Sequence, residues 1–249
     1  MITSDIRPPL STPVPDDDLI FLIAGHRDRG SFAESRRAAV DTLVGMLAET
    51  GVNTLDFQSI LDFGCGCGRI LAGWEGSLGP DTELHGCDIN EQLVRFCQES
   101  LKHALVVQSN YLPPLPYTDH KFDLIYANSV YTHLVLSAML SWTGEITRIV
   151  KPGGIAVITM QGSYYAAELA KVSKEGSRIL AERGYYIYLR GKPEDTWLGA
   201  NNYLAFATPD FMRRIFAGFD LIRAFPGVSH GPTHLAAFQD VLIFRRAEP

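Results

Sequence analysis

Residues 60–69 read Ile60-Leu61-Asp62-Phe63-Gly64-Cys65-Gly66-Cys67-Gly68-Arg69. Ser59 to Phe63 is a short apolar run and predicts a buried strand. Three alternating glycines end it in a turn, and a helix begins near Arg69. Glycine lets such a turn be tight and lets a ligand approach the backbone, because no Cβ intervenes. In an α/β sheet, ligands bind outside the carboxyl end of a strand, beside a helix N-terminus. A dinucleotide fingerprint needs a glycine at the sixth position of this turn, and here that position is Arg69. A nicotinamide dehydrogenase is disfavoured on that ground.

Outward from the turn, strands and helices alternate. Thr82 to Cys87, Ala104 to Val107, Phe122 to Ala127 and Ile155 to Met160 read as strands. Helices are expected after Asn90 and from Leu134 to Val150, with a turn at Pro152-Gly153-Gly154. Phe219 to Phe225 and Val241 to Phe244 close the chain as two more strands. Alternation implies parallel βαβ units covered on both faces. Upstream, Ser31 and Glu34 look like a capping box that opens a helix ending near Gly51. Residues 1–30 read as an N-terminal arm. Its prolines 8, 9, 13 and 15 and the run Asp16-Asp17-Asp18 predict irregular backbone, with Leu19 to Ala24 apolar enough to dock. Residues 31–249 read as one domain, with 161–207 as an inserted cap before Thr208-Pro209 starts a new helix.

The chain has 249 residues, is 46% hydrophobic and carries a net charge of −6. It is long enough to bury a core without staples. The acidic balance offers no global field for DNA or RNA, so no nucleic-acid partner is expected. Leu19 to Ala24 is far shorter than the roughly 20 residues of a membrane span, and no membrane partner is expected. Met1-Ile2-Thr3-Ser4-Asp5 does not resemble a signal peptide. Four cysteines, Cys65, Cys67, Cys87 and Cys97, in a chain this long do not suggest a disulfide framework, so a reducing, cytoplasmic setting is expected.

Asp88 ends the second strand, about 20 residues beyond the glycine turn, where an acid accepts hydrogen bonds from ribose hydroxyls. Asp62-Phe63-Gly64-Cys65-Gly66-Cys67-Gly68 resembles the first motif of class I S-adenosylmethionine-dependent methyltransferases. The resemblance continues through Asp88, through Phe122 to Val130 and through Arg148 to Gly154, and covers residues 56–160 well. It implies a Rossmann-like α/β fold: a seven-stranded sheet, mostly parallel, with the last strand antiparallel, helices on both faces and an inserted cap. It also implies S-adenosylmethionine as cofactor and S-adenosylhomocysteine as product. Gly64 and Gly66 would line the methionine part, and Asp62 would act on its amino group directly or through water. Asp88 would bind the ribose, with Ile89 against the adenine. Asn110, with Tyr111 beside it, falls where the family reads the adenine amino group, and an amide oxygen can accept that bond. Asn128 would face the cofactor near its sulfonium.

Ser129-Val130-Tyr131-Thr132-His133-Leu134 resembles a stretch found in a branch often associated with sugars or natural products, and Gln239-Asp240-Val241 resembles its closing strand. That branch often has His-Gly after the fifth strand, where this chain has Gln161-Gly162. The expected activity is therefore methyl transfer to a small-molecule acceptor, by O-methylation of a hydroxyl. His133 is the candidate general base, since its ordinary pKa suits that role. An N-methyltransferase and a non-catalytic cofactor-binding subunit are the rivals. His230 and His234 lack a local carboxylate, and Cys65-x-Cys67 is too close-spaced for a zinc pair, so no metal is expected. Tyr164, Tyr165, Tyr185, Tyr186, Tyr188, Trp197, Tyr203 and Phe206 have two readings: a lid over the acceptor, or cap core and a homodimer face.

Overall fold

The structure is a computed structural model that describes residues 8–189 and 203–248, so Trp197 lies outside the described residues. Nine strands are described: β1 (Ser59–Phe63), β2 (Glu83–Asp88), β3 (Leu105–Gln108), β4 (Phe122–Ala127), β5 (Val150–Met160), β6 (Tyr185–Leu189), β7 (Tyr203–Ala207), β8 (Phe219–Phe225) and β9 (Asp240–Arg246). Seven form one sheet in the order β3-β2-β1-β4-β5-β9-β8. β9, the last strand, runs antiparallel to both β5 and β8, and the pairs from β3 to β5 are parallel. This is the expected Rossmann-like α/β sheet. Strand order reverses between β1 and β4, which makes the crevice there the topological switch point.

All five residues of β1 are buried. Strand alternation divides them between two cores. Ile60 joins Leu124, Tyr126 and Val157 on one face, under Val40, Leu43 and Leu71. Leu61 and Phe63 join Ile125, Ala127 and Ile158 on the other, under Trp142 and Ile146. Burying one such side chain stabilises the fold by about 1.5–3 kcal/mol. A charged substitution at Leu61 would have no partner there.

The helices are α1 (Asp17–Ala24), α2 (Arg29–Ala48), α3 (Arg69–Gly73), α4 (Glu91–Ser100), α5 (Leu136–Ile149), α6 (Ser163–Val172), α7 (Lys174–Arg183), α8 (Pro209–Ile215) and α9 (Gly227–His230). Several local expectations change. The acid run is not irregular: the Asp16 side chain accepts from Leu19 N at 2.9 Å and caps α1, with Asp17 and Asp18 favourably placed in its first turn. Ser31 is not a cap. Asp28 holds that position and accepts from Ser31 N at 3.0 Å, so α2 starts three residues earlier. The helix expected from Leu134 is preceded by a 3-10 turn, Tyr131–His133, and starts at Leu136. Lys151 to Gly154 is a bulge within β5, with Gly153 at φ 73°. In the 161–207 stretch, α6 and α7 lead into an antiparallel β6-β7 hairpin. Thr208 caps α8 as expected, accepting from Phe211 N at 3.2 Å.

Candidate active site

The glycine turn is left-handed at each glycine: φ is 77° at Gly64, 57° at Gly66 and 74° at Gly68. A Cβ at Gly64 would lie 2.3 Å from Val130 Cγ2, so that glycine is fixed by conformation and by space. Gly64 N and Cys65 N both donate to the Cys87 carbonyl, at 2.8 and 2.9 Å, and tie the turn to the end of β2. Asp88 adds a second tie. Its Oδ2 accepts from Gly66 N at 2.8 Å, and its Oδ1 accepts from Asn90 N at 2.9 Å. Burial raises the Asp88 acid, and these amides oppose the rise. Each oxygen keeps a second lone pair for a ligand hydroxyl.

Asp62 is 2% exposed. Burial pushes its carboxyl up to about 8, against the Tyr126 hydroxyl that donates to it and the Arg69 charge. Tyr126 itself accepts from Trp74 Nε1 at 3.1 Å, so a buried chain runs from Trp74 through Tyr126 to Asp62. Asp62 Oδ2 remains buried with no hydrogen-bond partner among the described residues, and so does Asn128 Oδ1. A buried acceptor without a donor is costly, which marks both oxygens as sites for a ligand donor.

Both residues line a cavity of about 770 Å3 at the switch point. Gly64 and Gly66 form its floor from the end of β1. Asp88 enters from the end of β2, Ile89 just beyond it, and Asn110 and Tyr111 after β3. His133 enters from the 3-10 turn after β4. Asp62, Gly64, Gly66, Asp88, Ile89, Asn110, Tyr111, Asn128 and His133 thus line one space. His133 Nδ1 lies 2.9 Å from the Tyr203 carbonyl and donates to it, which leaves the ring lone pair on Nε2 in the neutral tautomer.

Other lining residues come from the N-terminal helices and from the loop before β9. Ile23 of α1 sits over the turn, its Cγ2 3.0 Å from where a Gly66 Cβ would be. The apolar run Leu19 to Ala24 was the only trace of that. Ser31, Phe32 and Ser35 of α2 line the same side. Arg69 donates to the carbonyls of His234 and Leu235, at 2.7 and 3.5 Å, and so fastens a second lining loop to the glycine turn. His234 lines the cavity, but His230 does not. The His230 ring lies between the carbonyls of Gly231 and Gln239, at 2.6 and 2.9 Å. No group of three metal-ligating side chains occurs among the described residues. The four cysteines are free and buried, and burial raises the Cys67 thiol to about 12, so it is no nucleophile near neutral pH.

Residues 61–158 match a family model described as a methyltransferase domain. This stretch is similar to methyltransferase domains, and that likeness points to S-adenosylmethionine as the cofactor. The chain is 30% identical, over 141 residues, to a tRNA (carboxymethyluridine(34)-5-O)-methyltransferase of Arabidopsis thaliana. That match covers 56% of this chain and 30% of the relative, so the chain spans less than a third of that curated relative's length. Among solved structures, a SAM-dependent methyltransferase of Methanosarcina mazei superposes with a TM-score of 0.59 at 19% identity, over 82% of this chain and 98% of its own. A methyltransferase of Haloferax volcanii, solved with the Trm112 methyltransferase activator, gives 0.57 at 16% identity, over 95% and 100%. At such identities these two carry the fold alone.

The acceptors of this site fit S-adenosylmethionine. Two orphaned buried oxygens face a cavity rimmed by a glycine cradle and a ribose-type acid. The expected partner changes, however. A small-molecule acceptor with no nucleic acid does not stand against a relative that acts on tRNA. The small-molecule acceptor rested on the likeness of Ser129 to Leu134 to one branch, and the exclusion of nucleic acid on net charge. Charge summed over a chain is a poor guide, since screening limits each contact to about 10 Å. No helix among the described residues is long and apolar enough to cross a membrane.

Proposed function

We propose that this chain is an S-adenosylmethionine-dependent methyltransferase that places a methyl group on an oxygen of an RNA nucleoside. One observation carries the cofactor reading: Asp62 Oδ2 and Asn128 Oδ1 are buried, lack donors and line one cavity beside a left-handed glycine turn. Asp62 takes the ammonium of the methionine part, and Asn128 lies near the sulfonium. The Gly64 and Gly66 backbone lines that part. Asp88 takes the ribose hydroxyls, Ile89 packs on the adenine, and Asn110 accepts from its amino group with Tyr111 alongside. When bound, S-adenosylmethionine supplies a methyl group already activated by its sulfonium.

The protein's remaining tasks are orientation, exclusion of water and a place for the acceptor proton. His133 Nε2 takes that proton while Nδ1–H stays on the Tyr203 carbonyl, which holds the ring in one tautomer. Ile23 and Phe32 close the cavity against water from the N-terminal side. The oxygen acceptor and its RNA setting draw support from the tRNA relative. The test is transfer of a radiolabelled methyl group to unfractionated tRNA, to free nucleosides and to no acceptor. Label in tRNA that digests to one methylated nucleoside supports the reading. Label in free nucleosides with none in tRNA removes the RNA acceptor.

A further inference from the structure

Ser129 follows Asn128 at the end of β4 and holds φ at 58°, a left-handed conformation that costs a serine free energy. Three side chains from other elements hold it there. Its amide donates to Thr159 Oγ1 of β5 at 2.7 Å. Its hydroxyl accepts from Gln239 Nε2, ahead of β9, at 2.8 Å. Thr159 Oγ1 donates to Gln239 Oε1 at 2.6 Å and closes the ring. The Ser129 carbonyl accepts from Thr132 Oγ1 at 2.8 Å, which binds the ring to the turn carrying His133. Thr159 is 1% exposed and Gln239 9%, and neither lines the cavity. Both chain neighbours of Ser129 do: Asn128, and Val130, which also packs on Gly64.

We propose that Gln239 and Thr159 are positioning residues that lock Ser129 in its left-handed turn and thereby set the methyl-transfer end of the cavity. The proposal rests on the reading of that cavity as the cofactor site. The ring joins the ends of β4 and β5 and the approach to β9, across β1 in the sheet from Asp88, which ends β2, and from Ile89 and Asn110, which follow β2 and β3. It therefore governs the methionine end, through Asn128 and His133, and leaves the adenosine end alone. A clamp on a strained turn loses its purpose when the strain is removed, and glycine removes it.

The test is calorimetric titration of the full chain with S-adenosylhomocysteine and, separately, with adenosine. Gln239→Ala should bind S-adenosylhomocysteine about 10-fold more weakly, with adenosine changed less than about 2-fold. Adding Ser129→Gly to Gln239→Ala should recover most of that loss. Methyl transfer by Gln239→Ala should show a fall in kcat with the acceptor KM held. Thr159→Val, of nearly the same shape, should reproduce the pattern and decides the matter if Gln239→Ala does not fold. Unchanged affinities in both single variants overturn the clamp, and so do equal losses for both ligands. If the folded wild type binds neither ligand, the cofactor reading itself fails, which is a distinct result.

Discussion

Gly66 N donates to Asp88 Oδ2 at 2.8 Å, so the glycine turn and the ribose-type acid are one structural unit. Loss of the acid removes a ligand for the cofactor and also releases the turn that cradles it. Asp88→Ala should therefore lower S-adenosylhomocysteine affinity by about 100-fold or more, the scale of two lost charge-assisted hydrogen bonds. The same variant should melt at a lower temperature even without ligand, because Gly66 and Asn90 lose their acceptor. Calorimetry and thermal denaturation read the two effects separately.

Asp62 gives a pH signature. Its folded pKa is about 8, against about 3.9 in an unfolded chain. The folded state thus binds more protons between those values, and stability falls as pH rises through that window. Asp62→Asn should flatten that part of the stability curve. An ammonium ligand favours the carboxylate, so cofactor binding near pH 7 should release close to one proton. Titration in buffers of different ionisation enthalpy measures that release, and Asp62→Asn should abolish it.

Gly64→Ala meets two obstacles, a φ of 77° and a Cβ 2.3 Å from Val130 Cγ2. The backbone strain alone costs about 1–2 kcal/mol. Adding Val130→Ala removes the clash but not the strain. The single variant should lose cofactor binding and thermal stability, and the pair should recover stability in part. Melting temperatures of the two proteins check this.

His133→Ala should lower kcat by about 10²–10⁴-fold and leave S-adenosylhomocysteine affinity nearly intact. Steady-state kinetics beside calorimetry provide the check. An unchanged kcat would remove the base and favour a nitrogen acceptor.

Much of this was legible in local sequence. An apolar run cut by Gly64, Gly66 and Gly68 can scarcely be other than a strand and a tight turn. Asp88 and Asn128 close such runs, and a parallel sheet brings strand ends to one edge. Asp16 was harder to read, because prolines 8 to 15 masked the helix it caps. Asp28 and Ser31 are both good caps, and only packing chose between them. The seat of Ile23 over Gly66 joins residues 43 apart, and the Ser129 ring joins three strand ends. No periodicity encodes contacts of that kind. Nucleic acid was excluded on net charge, which averages over a surface that an acceptor touches in one place.

The most direct measurement is titration of the folded chain with S-adenosylhomocysteine, run beside Asp62→Asn and Asp88→Ala. One site per chain, with proton release near pH 7 in the wild type, greatly weakened binding in Asp88→Ala and no proton release in Asp62→Asn, is the result predicted. A wild-type protein that is folded and yields no binding heat in any buffer, with ligand-independent melting, would contradict the account.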